Sequence, residues 1–296
     1  MSLETLNFSG QANNSKKINT ALATAGALTT AVTVPTITQL PVGVLSCESM
    51  SKISGNLSKD TVEIVNKGAQ KVLDELTDLS KKGVEIIDGA PATKSSEAVT
   101  SGITSFGAKI KNSILDLVNP IRGIQNGKNA CFAPNINKVV YHKEKMSLAA
   151  FHEIGHAHNF NSSKFWKAMQ KLRMPAMYIP LAIGAFVACT KNSKPEAGKE
   201  LTGLQKAKNF IRNHGAGLAF VASLPIIAEE VAASVKGCKW ANKVLDKNLA
   251  KKVLKTNAFG AISYLAIGVC SALGVHLAKK IKDNAVAKQE AKSVIV

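Results

Sequence analysis

The chain has 296 residues, enough for one large domain or two modest ones with a real core. Its five cysteines (Cys47, Cys131, Cys189, Cys238 and Cys270) include no close pair and total an odd number, which argues against a disulfide framework and against a cysteine-based zinc site. The formal charge of +18 suits an acidic partner, but aromatics make up 5% of the chain and no basic stripe is interleaved with them, so nucleic acid is not expected. Lysines flanking apolar segments at a membrane surface account for the charge, at about 1 kcal/mol each near anionic lipid.

Residues 1–58 are rich in Ser, Thr, Ala and Asn, and no charge occurs from Ile18 to Cys47. The length permits a span, whereas the threonines, Pro35 and Pro41 count against one. "VLSC" at 44–47 loosely matches a lipoprotein box, but Cys47 comes late and Leu45 is bulky. The expectation is a low-complexity apolar leader, poorly ordered or membrane-associated.

Residues 59–125 read as an amphipathic helical region. Over 59–82, Val62, Val65, Ala69, Val72, Leu76 and Leu79 form a stripe of alternating three- and four-residue steps, with Glu63–Lys67 and Lys71–Glu75 pairs outside it. A linker over 89–102 precedes a second amphipathic helix carrying Ile103, Phe106, Ile110, Ile114 and Leu117, and Asn119–Pro120 stops it.

Residues 126–296 contain three apolar runs, Met174–Thr190, Asn213–Ala228 and Asn257–Ala278. The third reaches the ~20 residues that a perpendicular span needs; the others are marginal. Two spans over 174–190 and 213–228 would return the chain to its starting side. The intervening loops carry equal numbers of Lys and Arg on the two sides, so the positive-inside rule chooses neither.

Ahead of these runs stands "FHEIGHAHNF", residues 151–160. On a helix, with Ser147 as its expected N-cap, His152 and His156 share one face within reach of a single ion. Glu153, beside the first histidine, can reach a water on that ion without ligating it. This is the H-E-x-x-H arrangement, in which zinc lowers the pKa of the water and the glutamate takes the proton. A tetrahedral zinc needs one more protein ligand. His158 points about 200° away from His156 around the helix. His214 and His276 lie in apolar runs and are expected as core histidines, with His214 a candidate for oxyanion stabilisation. "IAEEVAAS" (227–234) is the better source: its Glu229 and Glu230 end an uncharged segment, where a carboxylate is costly unless something compensates it.

Together, "FHEIGHAHNF" and "EVAAS" resemble the YugP-like bacterial membrane zinc peptidases, gluzincin relatives of the HtpX-type proteases. That resemblance covers about residues 128–278. It implies one zinc per chain held by His152, His156 and Glu230, with water as the remaining ligand, Glu153 as general base and Glu229 as a bystander. "FAPNINKVVYH" (132–142) resembles the family's short hairpin, which offers an edge strand to substrate. "VLKTNAFGAISYLAIGV" (253–269) resembles the opening of its last span. Ser234, one turn after Glu230, is expected to orient that carboxylate.

The fold expected is therefore mainly α: a multi-pass membrane helical protein with a zincin-type helix and a hairpin before it. Its expected activity is zinc-dependent endopeptidase action on a peptide or membrane-protein substrate, in the lipid bilayer, which would be the cytoplasmic membrane of a bacterial source. The alternative is a catalytically inactive membrane adaptor using residues 59–118 to bind a partner. An intramembrane protease of the site-2 type would need Asp from an Asp-Gly pair, and Asp88–Gly89 lies upstream in an unsuitable context.

Overall fold

The computed structural model describes residues 3–91, 111–112, 114–116 and 119–294. Most of the linker expected over 89–102, and Ile103, Phe106, Ile110 and Leu117 of the second amphipathic helix, lie outside the described residues. The chain is mainly helical and divides into two compact units, one of residues 39–173 with 225–266, the other of residues 1–38, 174–224 and 267–296.

The unit of residues 39–173 and 225–266 contains the sheet. Its core gathers Val65, Ala69, Val72, Leu73 and Leu79 with Val139, Tyr141, Leu148, Phe151, Ile154, Trp240 and Val253. Helix α2 (Lys59–Lys71) begins at Ser58, whose hydroxyl accepts from the Thr61 amide at 3.3 Å. It does not continue to residue 82 as the stripe suggested. A π-turn over Val72–Leu76 inserts an extra residue, and Asp78 and Gly83 then take positive φ. The insertion rotates the apolar face, so Leu73 is buried and Leu76 is exposed. Both anticipated ion pairs form, Glu63–Lys67 at 2.7 Å and Lys71–Glu75 at 3.8 Å.

Among the described residues the sheet has three strands, in the order β1-β3-β2. Strands β2 (Ala130–Ala133) and β3 (Lys138–Tyr141) form the expected antiparallel hairpin, closed by Asn137 at φ 55°. Strand β1 (Glu85–Asp88), which the sequence did not announce, adds in parallel on the other side of β3. Asp88 caps the turn that follows, accepting from the amides of Ala90 and Lys143 at 3.0 and 3.2 Å. Asn119–Pro120, expected to stop a helix, starts one. Asn119 caps α3 (Pro120–Gln125) by accepting from the Arg122 amide, and Pro120 occupies the first position, where a missing N–H costs nothing.

Helix α1 (Leu3–Gly55) is continuous where a low-complexity leader was expected. Its threonines do not break it: Thr30, Thr36 and Thr38 donate to carbonyls four residues back at 2.6–2.8 Å. In the unit of residues 1–38, 174–224 and 267–296, small residues bring helices together. Gly184 of α6 (Arg173–Cys189) faces Ala31, and Gly274 of α8 (Lys247–Val294) faces Pro35. Arg212, on α7 (Gly203–Val244), is fully buried and donates to the Val187 and Thr190 carbonyls and to Asp283, satisfying the carboxy-terminal end of α6.

Among the described residues, three helical segments are long and apolar enough to cross a membrane: Ala21–Gly55, Gly203–Val244 and Lys247–Ala291. Helix α5 (Lys164–Lys171) and α6, bent by 45° at their junction, make a fourth if the pair is one span. At 1.5 Å per residue α7 is about 63 Å long, roughly twice a bilayer's hydrocarbon thickness.

Candidate metal centre

The centre is built where α4 (Ala150–Ser162) crosses the second half of α7. Helix α4 does not use Ser147 as its cap. Ser147 is buried in a 3-10 turn, and the hydroxyl that accepts from the Leu148 amide, at 3.4 Å, is that of Ser54. The crossing depends on small residues. A Cβ built at Gly155 would collide with the Ala233 carbonyl, and one at Gly237 would lie 2.6 Å from the Phe151 carbonyl oxygen. Backbones this close let the short Glu230 side chain reach both histidines.

His152 and His156 stand edge to face, with ring centroids 4.5 Å apart. Their Nε2 atoms are 2.9 Å apart, and Oε2 of Glu230 lies 3.1 Å from His152 Nε2 and 3.4 Å from His156 Nε2. Two donors on one tetrahedral zinc, with bonds near 2 Å, lie about 3.3 Å from each other. The three ligand atoms are therefore spaced to hold one metal ion.

The other ring nitrogens are also engaged. His156 Nδ1 donates to Glu229, at 2.9 Å from Oε1, and His152 Nδ1 lies 3.1 Å from the Ser234 hydroxyl. Proton donation from His156 Nδ1 to a carboxylate leaves a lone pair on Nε2. Nε2 of both rings and Oε2 of Glu230 thus converge on one point, where a proton held by His156 or a bound cation relieves the repulsion between them. Glu153, Glu229 and Glu230 are all buried, and the Arg173 guanidinium is in direct contact with Glu229 and Glu230. Burial disfavours the His156 imidazolium, yet Glu230 and Glu229 outweigh it and push the ring's pKa up to about 10. The residues present fit a divalent ion in donor type, spacing and charge.

Glu229 is not a bystander. Asn159 and Gln170 donate to its Oε1 at 3.1 and 2.7 Å, so it is a fixed acceptor behind the His156 ring. Ser234 meets the His152 ring, not the Glu230 carboxylate it was expected to orient. Glu153 is buried beside His152 in the chain, and burial and its charge push the Cys131 thiol, on strand β2, up to about 11. His158 faces elsewhere, its ring 5.2 Å from that of Trp240; burial and the neighbouring Lys236 and Lys82 push its pKa down to about 4. His214 and His276 are exposed, not core residues, and His214 packs on Phe210 in the other unit. Asp88 is held in its turn, away from the group.

The sequence reading missed Asn159, Gln170 and Arg173. Their signal was weak: polar residues soon after a metal-binding helix are ordinary on any amphipathic surface. No family model, curated protein or solved structure matches the chain.

Proposed function

We propose that the chain is a zinc-dependent membrane metalloendopeptidase of the YugP-like kind. The convergence of His152 Nε2, His156 Nε2 and Glu230 Oε2, with Glu153 on the same helix, carries this reading. A zinc ion in that group supplies Lewis-acid polarisation of a water and of a peptide carbonyl. Ser234 and Glu229 hold the two imidazoles in orientation from their Nδ1 sides. Glu153 accepts the proton that water loses as its oxygen bonds to the carbonyl carbon. The same carboxyl then gives that proton to the amine nitrogen as the C–N bond breaks, returning Glu153 to its starting state.

Strand β2 supports a peptide substrate in particular. Among the described residues it is the outer strand of the sheet on the hairpin side, an edge that can take an extended backbone, and its Cys131 feels the Glu153 charge. The membrane assignment is supported by α8, whose Ile262, Leu265, Val269 and Leu273 are exposed at helical spacing, an apolar row that suits lipid.

The test is Glu153→Gln in detergent-purified full chain. Zinc should stay at one per chain by elemental analysis, while cleavage of an unstructured fluorogenic peptide falls by roughly 10²–10⁴-fold, the usual worth of a positioned general base. Loss of zinc together with activity would make Glu153 structural. A wild-type chain that holds zinc and cleaves nothing would favour the inactive adaptor.

A further inference from the structure

We infer that Arg173 is a positioning residue that occupies one oxygen of Glu230, leaving the other as the single donor presented to the histidines. This rests on the metal-centre reading and deepens it. Arg173 Nη2 donates to Glu230 Oε1 at 2.5 Å, while Oε2 of the same carboxylate faces His152 and His156 at 3.1 and 3.4 Å. The two oxygens thus have separate partners.

The guanidinium also reaches the neighbouring carboxylate, with Nη1 3.4 Å from Glu229 Oε2. One planar fork therefore spans the carboxylate that faces the ion and the one that orients His156. An ammonium, a compact point charge, could hold Oε1 of Glu230 but not span both carboxylates, whereas a guanidinium is suited to both. Arg173 is itself fixed. Its Nη2 lies 3.4 Å from the Tyr264 hydroxyl, and its charged carbon sits 5.7 Å from the Tyr264 ring centroid. Three residues earlier, Gln170 donates to Glu229 Oε1 at 2.7 Å and to the His156 carbonyl at 2.9 Å. Between them, Gln170 and Arg173 thus contact both carboxylates, Gln170 at Glu229 and Arg173 at Glu229 and Glu230.

With Oε1 taken, Glu230 binds an ion through one oxygen, and the neighbouring positive charge draws electron density from that carboxylate. Freed from Arg173, the carboxylate can turn both oxygens inward and raise the coordination number.

The experiment loads Co²⁺ into detergent-purified full chain and compares visible absorption of wild type, Arg173→Met and Arg173→Lys. Wild type and Arg173→Lys should show the intense band of a four-coordinate ion, because lysine can still hold Oε1. Arg173→Met should lose much of that intensity as the coordination number rises. An Arg173→Met spectrum identical to wild type would overturn the inference. So would loss of cobalt from both variants, which would make the cation a structural requirement. A wild type that takes up no Co²⁺ would remove the metal centre and this inference with it. If the spectra behave as expected and no peptide is cleaved, the peptidase reading alone fails.

Discussion

His156 is held between two adjacent residues of one helix: Glu229 accepts from its Nδ1 at 2.9 Å, and Glu230 lies 3.4 Å from its Nε2. Neighbouring helix positions point about 100° apart, enough to put one carboxylate behind the ring and the other in front of it. The pair "EE" thus divides its work: Glu230 joins His152 and His156 in the group that could hold a metal ion, and Glu229 accepts from Nδ1 of His156 behind it.

This division of labour gives an ordered series. Glu230→Ala should lose stoichiometric zinc. Glu229→Ala should retain zinc but bind it roughly 10–100-fold more weakly, the usual cost of removing a carboxylate behind a ligating histidine. Competition with a chromophoric chelator measures both. An affinity unchanged in Glu229→Ala would return that residue to the bystander role the sequence suggested.

Ser234 should behave differently because its partner is His152, 3.1 Å away. A hydroxyl can accept the imidazole proton but carries no charge, so Ser234→Ala should weaken zinc by less than Glu229→Ala does, and Ser234→Thr should restore binding. The same chelator titration reads it. A Ser234→Ala loss equal to that of Glu230→Ala would contradict the supporting role.

The inner group was legible because it rests on helical spacing. His152 and His156 are one turn apart, and a carboxylate ending a long apolar run demands a compensating cation. The hairpin was legible from its turn residues. What the sequence hid depends on long-range pairing or on small rotations. Strand β1 has four residues and exists because it pairs with β3, more than fifty positions away. The α2 stripe looked regular to residue 79, yet the π-turn at Val72–Leu76 shifted its face by one residue. The resemblance through "EVAAS" singled out Glu230 over the chemically identical Glu229, and the close packing of Gly155 on Ala233 brings the helix of Glu230 up to the histidines. Arg173 reads as one more cation at a helix end until the fold brings it to the carboxylates. In α1, Pro35 and Pro41 removed individual backbone donors without ending the helix.

The apolar segments of α7 and α8 set the behaviour of the whole chain in extraction. Val221, Leu224, Val231 and Val235 are exposed along α7, as Ile262, Leu265, Val269 and Leu273 are along α8. Such surfaces need lipid or a protein partner. Membranes washed in alkaline carbonate should therefore retain the chain, and detergent should release it. Recovery of a soluble monomer without detergent would reassign these helices to a core.

The glycines at the helix crossing provide the most direct test of how the centre is assembled. At Gly155 a methyl group would meet the backbone of Ala233, and at Gly237 it would meet the backbone of Phe151 and His152. Backbone cannot step aside as a flexible side chain can, so Gly155→Ala and Gly237→Ala should each force α4 and α7 apart. Overpacking of this kind costs about 1–3 kcal/mol. A displacement of even 1 Å would also carry Glu230 away from His152 and His156, so zinc affinity should fall in both variants. Gly260, on α8 in the same unit, has nothing within 4 Å of a built Cβ. Gly260→Ala should therefore be neutral or stabilise by about 0.4–1 kcal/mol through the unfolded state. Thermal melts in detergent and chelator titrations on the three variants measure both effects. Equal zinc affinity in Gly155→Ala and Gly260→Ala would show that the close approach of the helices does not set the position of Glu230.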